Sequence, residues 1–598
     1  MLKIKKLLTA IGTNNRLQSA NITTYNYPND SNLSTFNSQL SIFNFHIMVT
    51  IYCKNTQSYK EYPMGISLLD IYNDLDINLP HQVVAARVNY KVESLNFRIY
   101  KPKNIEFIDV TCPSGNRVYL RSISMIMAKA LSEIQPESRL RIEHPICQGY
   151  YCCIDNREAK VPESLIDELR QKMQEIIAAN IPIVSEERQT MTVIEMFRQR
   201  GLMDKAILFE TLGVPYVRYF RIDDYIDHYN GVLVPSTGYV PVFDLQSYKN
   251  GILLRVVDRK NPTQVAEFVD EPKMFDIFNE FVRWNKLMEL TNVGDFNKIC
   301  RDHSVYDLIK VSEALHEKKI AQIADMIAQR QPESRFVMIS GPSSSGKTTF
   351  SKRLSIQLMV AGIKPIVLSL DNYFVNRVDT PLDENGEWDF EALNALDLEL
   401  LNNQLVRILN GEEVEVPYYD FTIGERRWRG EKVQLTPGSV LIMEGIHALN
   451  PDMCPSIPQS AMFKIYVSAL TTISLDSHNW IPTDDTRLLR RIVRDYKFRN
   501  YSARETIQRW PSVRRGEERW IFPYQENADV MFNSALLFEL AVLRKHAEPI
   551  LADVPQYCEE YTEAHRLLKF LKYFIPIHDH EIPATSLLRE FLGGSSFR

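Results

Sequence analysis

Beyond Met48 the chain is built of short alternating and periodic stretches, whereas residues 13–44 are rich in Asn, Ser and Thr and hold no sustained hydrophobic period. Period-two alternation of β-formers in Val49-Thr50-Ile51-Tyr52-Cys53 predicts a strand. Residues 59–63 predict a second, with Gly65 as a turn. Ser67 reads as the cap of a short helix over 67–72. Strands are expected again at 83–89 and 105–110, which closes a small α+β unit near residue 110. Helical spacing marks 122–134 and 162–179, and mixed α/β sequence runs to about 300. Over 304–330 an amphipathic helix is predicted, with Val305, Leu308, Ile309, Val311, Leu315, Ile320 and Ile323 on its apolar face. The polar segment before Met48 reads as disordered. The apolar stretch Leu7 to Gly12 is too short for a signal-peptide core, and translation is expected to begin at Met48.

Composition narrows the class without naming the chemistry. At about 100–200 residues per domain, 598 residues suggest three or four domains. An apolar share of 45% with 24% charged residues fits a soluble globular protein. A net charge of −6 gives no global attraction to nucleic acid. The eight cysteines form no C-x-x-C pair, which fits reduced thiols in a cytoplasmic protein. No apolar run reaches the roughly 18 residues of a membrane-spanning helix.

The strongest chemical signal follows the apolar strand Arg335 to Ser340. Gly341-Pro342-Ser343-Ser344-Ser345-Gly346-Lys347-Thr348-Thr349 matches G-x-x-x-x-G-K-[ST], with helical spacing from Phe350 to Met359. The glycines permit a loop whose N–H groups turn toward anionic oxygens at the positive end of a helix. Lys347 can reach the β- and γ-phosphates of ATP, and the Thr348 hydroxyl can hold Mg²⁺. The motif marks nucleotide binding and does not separate kinases from other NTPases.

Two apolar stretches end in carboxylates. Ile366 to Leu370 leads into Asp371, and Val440 to Met443 into Glu444. At the carboxyl tips of strands beside the loop strand, such groups face the nucleotide crevice. Asp371 can accept a substrate proton or order Mg²⁺; Glu444 suits Mg²⁺ and water. A turn or cap residue would look the same in sequence. In the helical stretch Asp485 to Asp495, Arg487, Arg491 and Arg494 fall near one face, either as a phosphate clamp or as a solvated face.

Taken in order, these stretches resemble the uridine kinase/phosphoribulokinase family over residues ~333–550. Leu368-Ser369-Leu370-Asp371-Asn372-Tyr373-Phe374, Trp388-Asp389-Phe390-Glu391, Val416 to Phe421, Ile442 to Ile446, Asp485 to Asp495 and Ala528-Asp529-Val530 carry the likeness with the loop. The resemblance implies an α/β fold with a mostly parallel sheet. It implies ATP and Mg²⁺ as cofactors, the latter held by Thr348, Glu444 and Asp371. Asp371 would be the base on a nucleoside hydroxyl, with Lys347 and Arg494 serving the transfer. Asp389, Tyr419 and Arg491 would meet the nucleoside. Gly341, Ser343 to Thr349 and Arg499 would bind the nucleotide. Where uridine kinases carry a His for the pyrimidine, Gly424 stands. Their Arg-Gly-Arg lid element is Arg499-Asn500-Tyr501, with Arg504 as a candidate replacement cation.

Residues ~48–110 resemble a TGS domain, through Glu61 to Ile71 and Val84 to Asn89. Residues ~115–300 resemble the editing-side domain that follows TGS in threonyl-tRNA synthetases, partly through Leu140 to Tyr151. The early H-x-x-x-H pair is missing from Tyr119 to Met127, and Pro235 and Tyr239 stand at the expected late pair, so editing chemistry is not expected. His144 reads as structural. The layout is a disordered extension 1–46, a TGS-like domain 47–110, an editing-like α+β domain 111–300, a helical linker 301–330, a kinase domain 331–555, and a C-terminal helix and polar tail 556–598. The expected activity is ATP-dependent phosphorylation of a nucleoside-like small molecule in the cytoplasm, with no membrane partner. RNA contact through the TGS-like domain and homo-oligomerisation stay open. The alternative is an ATP-regulated RNA- or ribosome-binding protein.

Overall fold

The computed structural model describes residues 47–155, 159–384 and 386–597. The disorder expected of 1–46 falls outside them. The first unit is ubiquitin-like. Strands β1 (Met48–Cys53), β2 (Ser58–Pro63), β3 (Ala85–Val88), β4 (Lys91–Glu93) and β5 (Lys103–Ile108) form a sheet in the order β2-β1-β5-β3-β4. The central β1–β5 pairing is parallel and the others antiparallel. Helix α1 (Leu68–Asp74) packs Leu68 and Ile71 into the core and starts with a Ser67–Asp70 capping box.

The second unit begins with α2 (Pro113–Ile134), which starts nine residues before the expected Ser122. Pro113 is tolerated in the first turn, and the Cys112 sulfur accepts from Gly115 N–H, an uncommon cap that sequence rules do not flag. Strands β6 (Leu140–Ile146) and β7 (Gly149–Ile154) and helix α3 (Glu163–Ala178) follow. Strands β8 (Val184–Gln189), β9 (Tyr216–Ile222) and β10 (Tyr225–Asp227) make a three-stranded sheet, with α4 (Met203–Leu212) in the connection. Strands β11 (Phe243–Tyr248) and β12 (Gly251–Val256) complete a second sheet, β11-β12-β7-β6. His144 is buried there, stacked on Phe278 at 4.0 Å. Helices α5 (Pro272–Leu287) and α6 (Val305–Gln329) lead to the third unit.

That unit is a P-loop kinase fold. Strands β13 (Phe336–Ser340), β14 (Lys364–Ser369), β15 (Ser439–Glu444), β16 (Met462–Ser468) and β17 (Val530–Asn533) lie in the order β14-β15-β13-β16-β17, all parallel. β13 and β15 are nearly continuous apolar runs, as a sheet covered on both faces requires. Helices α7 (Lys347–Val360), α8 (Thr483–Phe498), α9 (Ala503–Trp520), α10 (Glu539–Ala552) and α11 (Tyr561–Leu571) surround it. Among the described residues no helix is long and apolar enough to cross a membrane.

The chain's end departs from the polar tail expected. Ser586, Leu587, Leu588, Phe591 and Leu592 are buried, the last two in the short helix α12 (Arg589–Leu592). The spacing of Leu587 with Phe591 and Leu588 with Leu592 supplies an apolar face too short to register as a period. One core cluster joins Leu208 and Phe296 of the N-terminal half to Leu488, Leu489 and Ile492 of α8 and to Phe591.

Candidate active site

The loop after β13 lies at the carboxyl ends of the central strands. Gly341 runs so close to β16 that a Cβ there would stand 2.0 Å from the Val467 carbonyl oxygen. Gly346 caps α7 in the left-handed region at φ 87°, a conformation costly to other residues. The Lys347 ammonium is folded back onto its own loop, donating to the carbonyls of Gly341 at 2.8 Å and Pro342 at 3.2 Å. The Ser344 and Ser345 hydroxyls are buried without a hydrogen-bond partner.

Both predicted carboxylates stand at strand tips beside this loop. Glu444 is the last residue of β15 and accepts from the Thr348 hydroxyl at 3.2 and 3.4 Å. Burial pushes its carboxyl up to about 7, with Asp371 and Glu590 adding and Lys347 opposing. Asp371 follows β14 in a turn in which its own N–H meets Ser369 Oγ. Burial raises its carboxyl, against Lys347 and Arg499. Thr348, Glu444 and Asp371 carry oxygen donors of the kind Mg²⁺ takes beside substrate phosphates. Among the described residues no three His, Cys, Asp or Glu converge on one point.

Helix α8 divides its arginines between two jobs. Arg487 and Arg490 are fully buried and hold the loop from behind. Arg487 pairs with Glu517 and donates to the Ser343 carbonyl at 3.1 Å. Arg490 forks onto Glu539 and reaches the carbonyls of Ser534 at 2.8 Å and Ser344 at 3.3 Å. Glu517 also accepts from Ser343 N–H at 3.0 Å. Arg491 donates to the Ser343 hydroxyl at 2.8 Å, and Arg491, Arg494 and Arg499 all contact the buried Asp495 carboxylate, at 3.3, 3.0 and 3.6 Å. Three cations around one carboxylate leave excess positive charge beside the loop. Arg504 pairs instead with Glu560 at 3.3 Å.

The acceptor side differs more from expectation. The Asp389 carboxylate caps its own turn, accepting from Glu391 N–H at 3.1 Å. Glu391, two residues on, is the carboxyl that feels Arg491, Glu517, Lys347 and Asp371, and burial pushes it up to about 7. Sequence reading passed over it because a short loop offers no period to tell the two acids apart. Its position is set by the tight approach of α9, where a Cβ on Gly516 would meet Glu391 Cβ at 2.3 Å. Tyr419 is buried between Phe374 and Phe421, with ring centroids 5.6 and 4.9 Å away. At Gly424 the backbone has φ 75°, and a Cβ would lie 2.7 Å from Arg377 Nε. The half-buried Arg377 fills that space, donating to the Phe421 carbonyl at 2.9 Å.

The phosphoribulokinase/uridine kinase family model matches residues 336–537. The uridine kinase of Ligilactobacillus salivarius is 32% identical over 206 residues, 34% of this chain and 87% of that protein. The N-terminal part is similar to threonine–tRNA ligases. That of Syntrophomonas wolfei is 30% identical over 201 residues, 33% of this chain, and the chain spans only 31% of that ligase. Among solved structures, a possible uridine kinase from Bacillus stearothermophilus is 22% identical, with a TM-score of 0.24, covering 36% of this chain and 100% of that one.

Proposed function

Through residues 336–537 this chain belongs to the phosphoribulokinase/uridine kinase family, and we propose that it transfers the γ-phosphoryl group of ATP to a hydroxyl of a nucleoside-like small molecule. The observation that carries this reading is the strand-tip Glu444 accepting from the Thr348 hydroxyl at the head of α7, with Asp371 just beyond the neighbouring strand end, Ser369, that pairs with Glu444, and Lys347 folded onto the same loop.

In this reading Gly341, Ser343 to Thr349 and Arg499 bind ATP. Thr348, Glu444 and Asp371 hold Mg²⁺, which when bound neutralises charge on the β- and γ-phosphates. Asp371 takes the proton of the attacking hydroxyl, and burial raises its affinity for that proton. Arg491 and Arg494 offset the charge that develops during transfer. On the acceptor side the positional support is stronger for Glu391 than for Asp389. Gly424 and Arg377 support an acceptor read differently from uridine. The domain layout 47–110, 111–300, 301–330, 331–555 and 556–598, and action in the cytoplasm, complete the proposal.

The test is ADP release by the full chain with ATP, Mg²⁺ and a panel of nucleosides and small alcohols. Asp371→Asn is expected to lower kcat at least ~100-fold while ATP still binds. Near-normal turnover in that variant would sink the assignment of the base. No turnover with any acceptor would favour the RNA-binding alternative.

A further inference from the structure

We propose that the C-terminal tail competes with the nucleotide for the head of α7, through the Glu590 carboxylate. The proposal rests on the nucleotide reading above. The first N–H groups of a helix have no acceptor within it, and a phosphate loop offers these groups to anionic oxygens. Gly346, at the cap position, has no side chain to satisfy them. One is already taken by the chain itself. Thr349 donates to Glu590 Oε2 from its N–H at 3.3 Å and from its hydroxyl at 2.8 Å.

The carboxylate comes from 241 residues further along, and a folded segment delivers it. A Cβ on Gly346 would stand 3.3 Å from a Leu587 methyl, so the tail lies along the loop itself. Leu587, Leu588, Phe591 and Leu592 are buried. Lys497, on the arginine helix α8, donates to the Leu592 carbonyl at 2.9 Å. The tail is thus tied to the helix whose Arg487 and Arg490 hold the loop. A phosphate reaching Thr349 N–H meets a carboxylate on the same donor, and two anions cannot share it at contact distance. A helix cap alone would explain one hydrogen bond; it would not explain an apolar segment laid across the loop glycine.

By linkage, nucleotide entry and release of the Glu590 contact drive each other. The experiment uses the full chain with Mg²⁺ and the non-hydrolysable probe AMP-PNP. Calorimetry is expected to show Glu590→Gln binding about fivefold to tenfold more tightly than wild type, the scale of an anion contact at a helix start. Hydrogen exchange of wild type is expected to speed up over residues 586–592 when the probe is added. Equal or weaker binding by Glu590→Gln, or unchanged or slower tail exchange, would overturn the proposal. Lys347→Ala separates the two ideas. If wild type binds and Lys347→Ala does not, the nucleotide reading stands whatever Glu590→Gln does. If neither wild type nor Glu590→Gln binds, the nucleotide reading fails and this proposal with it.

Discussion

The Lys205 ammonium donates to the Asp476 carboxylate at 2.7 Å, both fully buried, and joins α4 of the editing-like half to the hairpin that precedes the arginine helix α8. Asp227 lies 3.0 Å from the same ammonium, and His478 Nδ1 is 2.6 Å from Asp227. Burial costs each charge its hydration, and the pairing offsets the loss together with hydrogen bonds to Asp476 from His478 N–H and the Asn479 amide and to Asp227 from His228 N–H. Lys205→Met strands two carboxylates and is expected to cost about 3–5 kcal/mol, seen as a lower urea midpoint. The sign with pH follows from Asp227, whose carboxyl is held well below its ordinary value by Lys205 and His478 against burial. A depressed carboxyl gives stability that is present above the unfolded value of about 4 and fades as pH falls through the folded one. Wild type should therefore lose stability below about pH 4 more steeply than a Lys205→Met/Asp227→Asn double variant.

Glu444, pushed up to about 7, implies a pH dependence of metal binding. A protonated carboxyl does not ligate, so cation binding must displace one proton below its pKa. The Mg²⁺ needed to half-saturate AMP-PNP binding is expected to rise about tenfold per pH unit below 7 and to level off above 8. Calorimetry across pH 5.5–8.5 measures it, and a flat profile would count against Glu444 as a ligand.

Glu391 gives the opposite stability sign to Asp227. Its carboxyl is raised in the folded chain, so the native state binds more protons than the unfolded one between about pH 4 and 7. Stability contributed by that proton is full below about 4 and is lost as pH rises through 7. Glu391→Gln should therefore stabilise the nucleotide-free protein at pH 8, by roughly 1–3 kcal/mol. The gain should shrink as pH falls and vanish only below about pH 4. If Glu391 also faces the acceptor, the same variant raises the acceptor KM while leaving AMP-PNP affinity unchanged.

The loop from Gly341 to Thr349 was legible because every residue it needs is contiguous, Glu444 because it ends an apolar strand, and Asp371 because it closely follows one. What stayed hidden arrives through tertiary structure. Helical spacing grouped Arg487 with Arg491 and Arg494, yet Arg487 and Arg490 turn inward because Glu517 and Glu539 wait there, 30 and 49 residues away. Glu590 reaches Thr349 from a segment with too few apolar residues to show a period. The ubiquitin-like sheet was readable from alternation, whereas the start of α2 was not, since its cap is a cysteine.

Gly424 tests whether the pyrimidine reader of a uridine kinase can be restored. Two obstacles stand at that position. The backbone is at φ 75°, where a side chain is strained by about 1–2 kcal/mol. The space a Cβ needs is held by Arg377, whose Nε would lie 2.7 Å away. Gly424→His is therefore expected to lower the thermal midpoint by several degrees and to give no new preference for uridine. Arg377→Ala removes the second obstacle, so Gly424→His/Arg377→Ala should recover part of the lost stability. Its acceptor profile then reports on Arg377 itself. If Arg377 reads the natural acceptor, the double variant loses that acceptor while AMP-PNP affinity holds. If Arg377 only fills space, the acceptor KM of Arg377→Ala alone will match wild type.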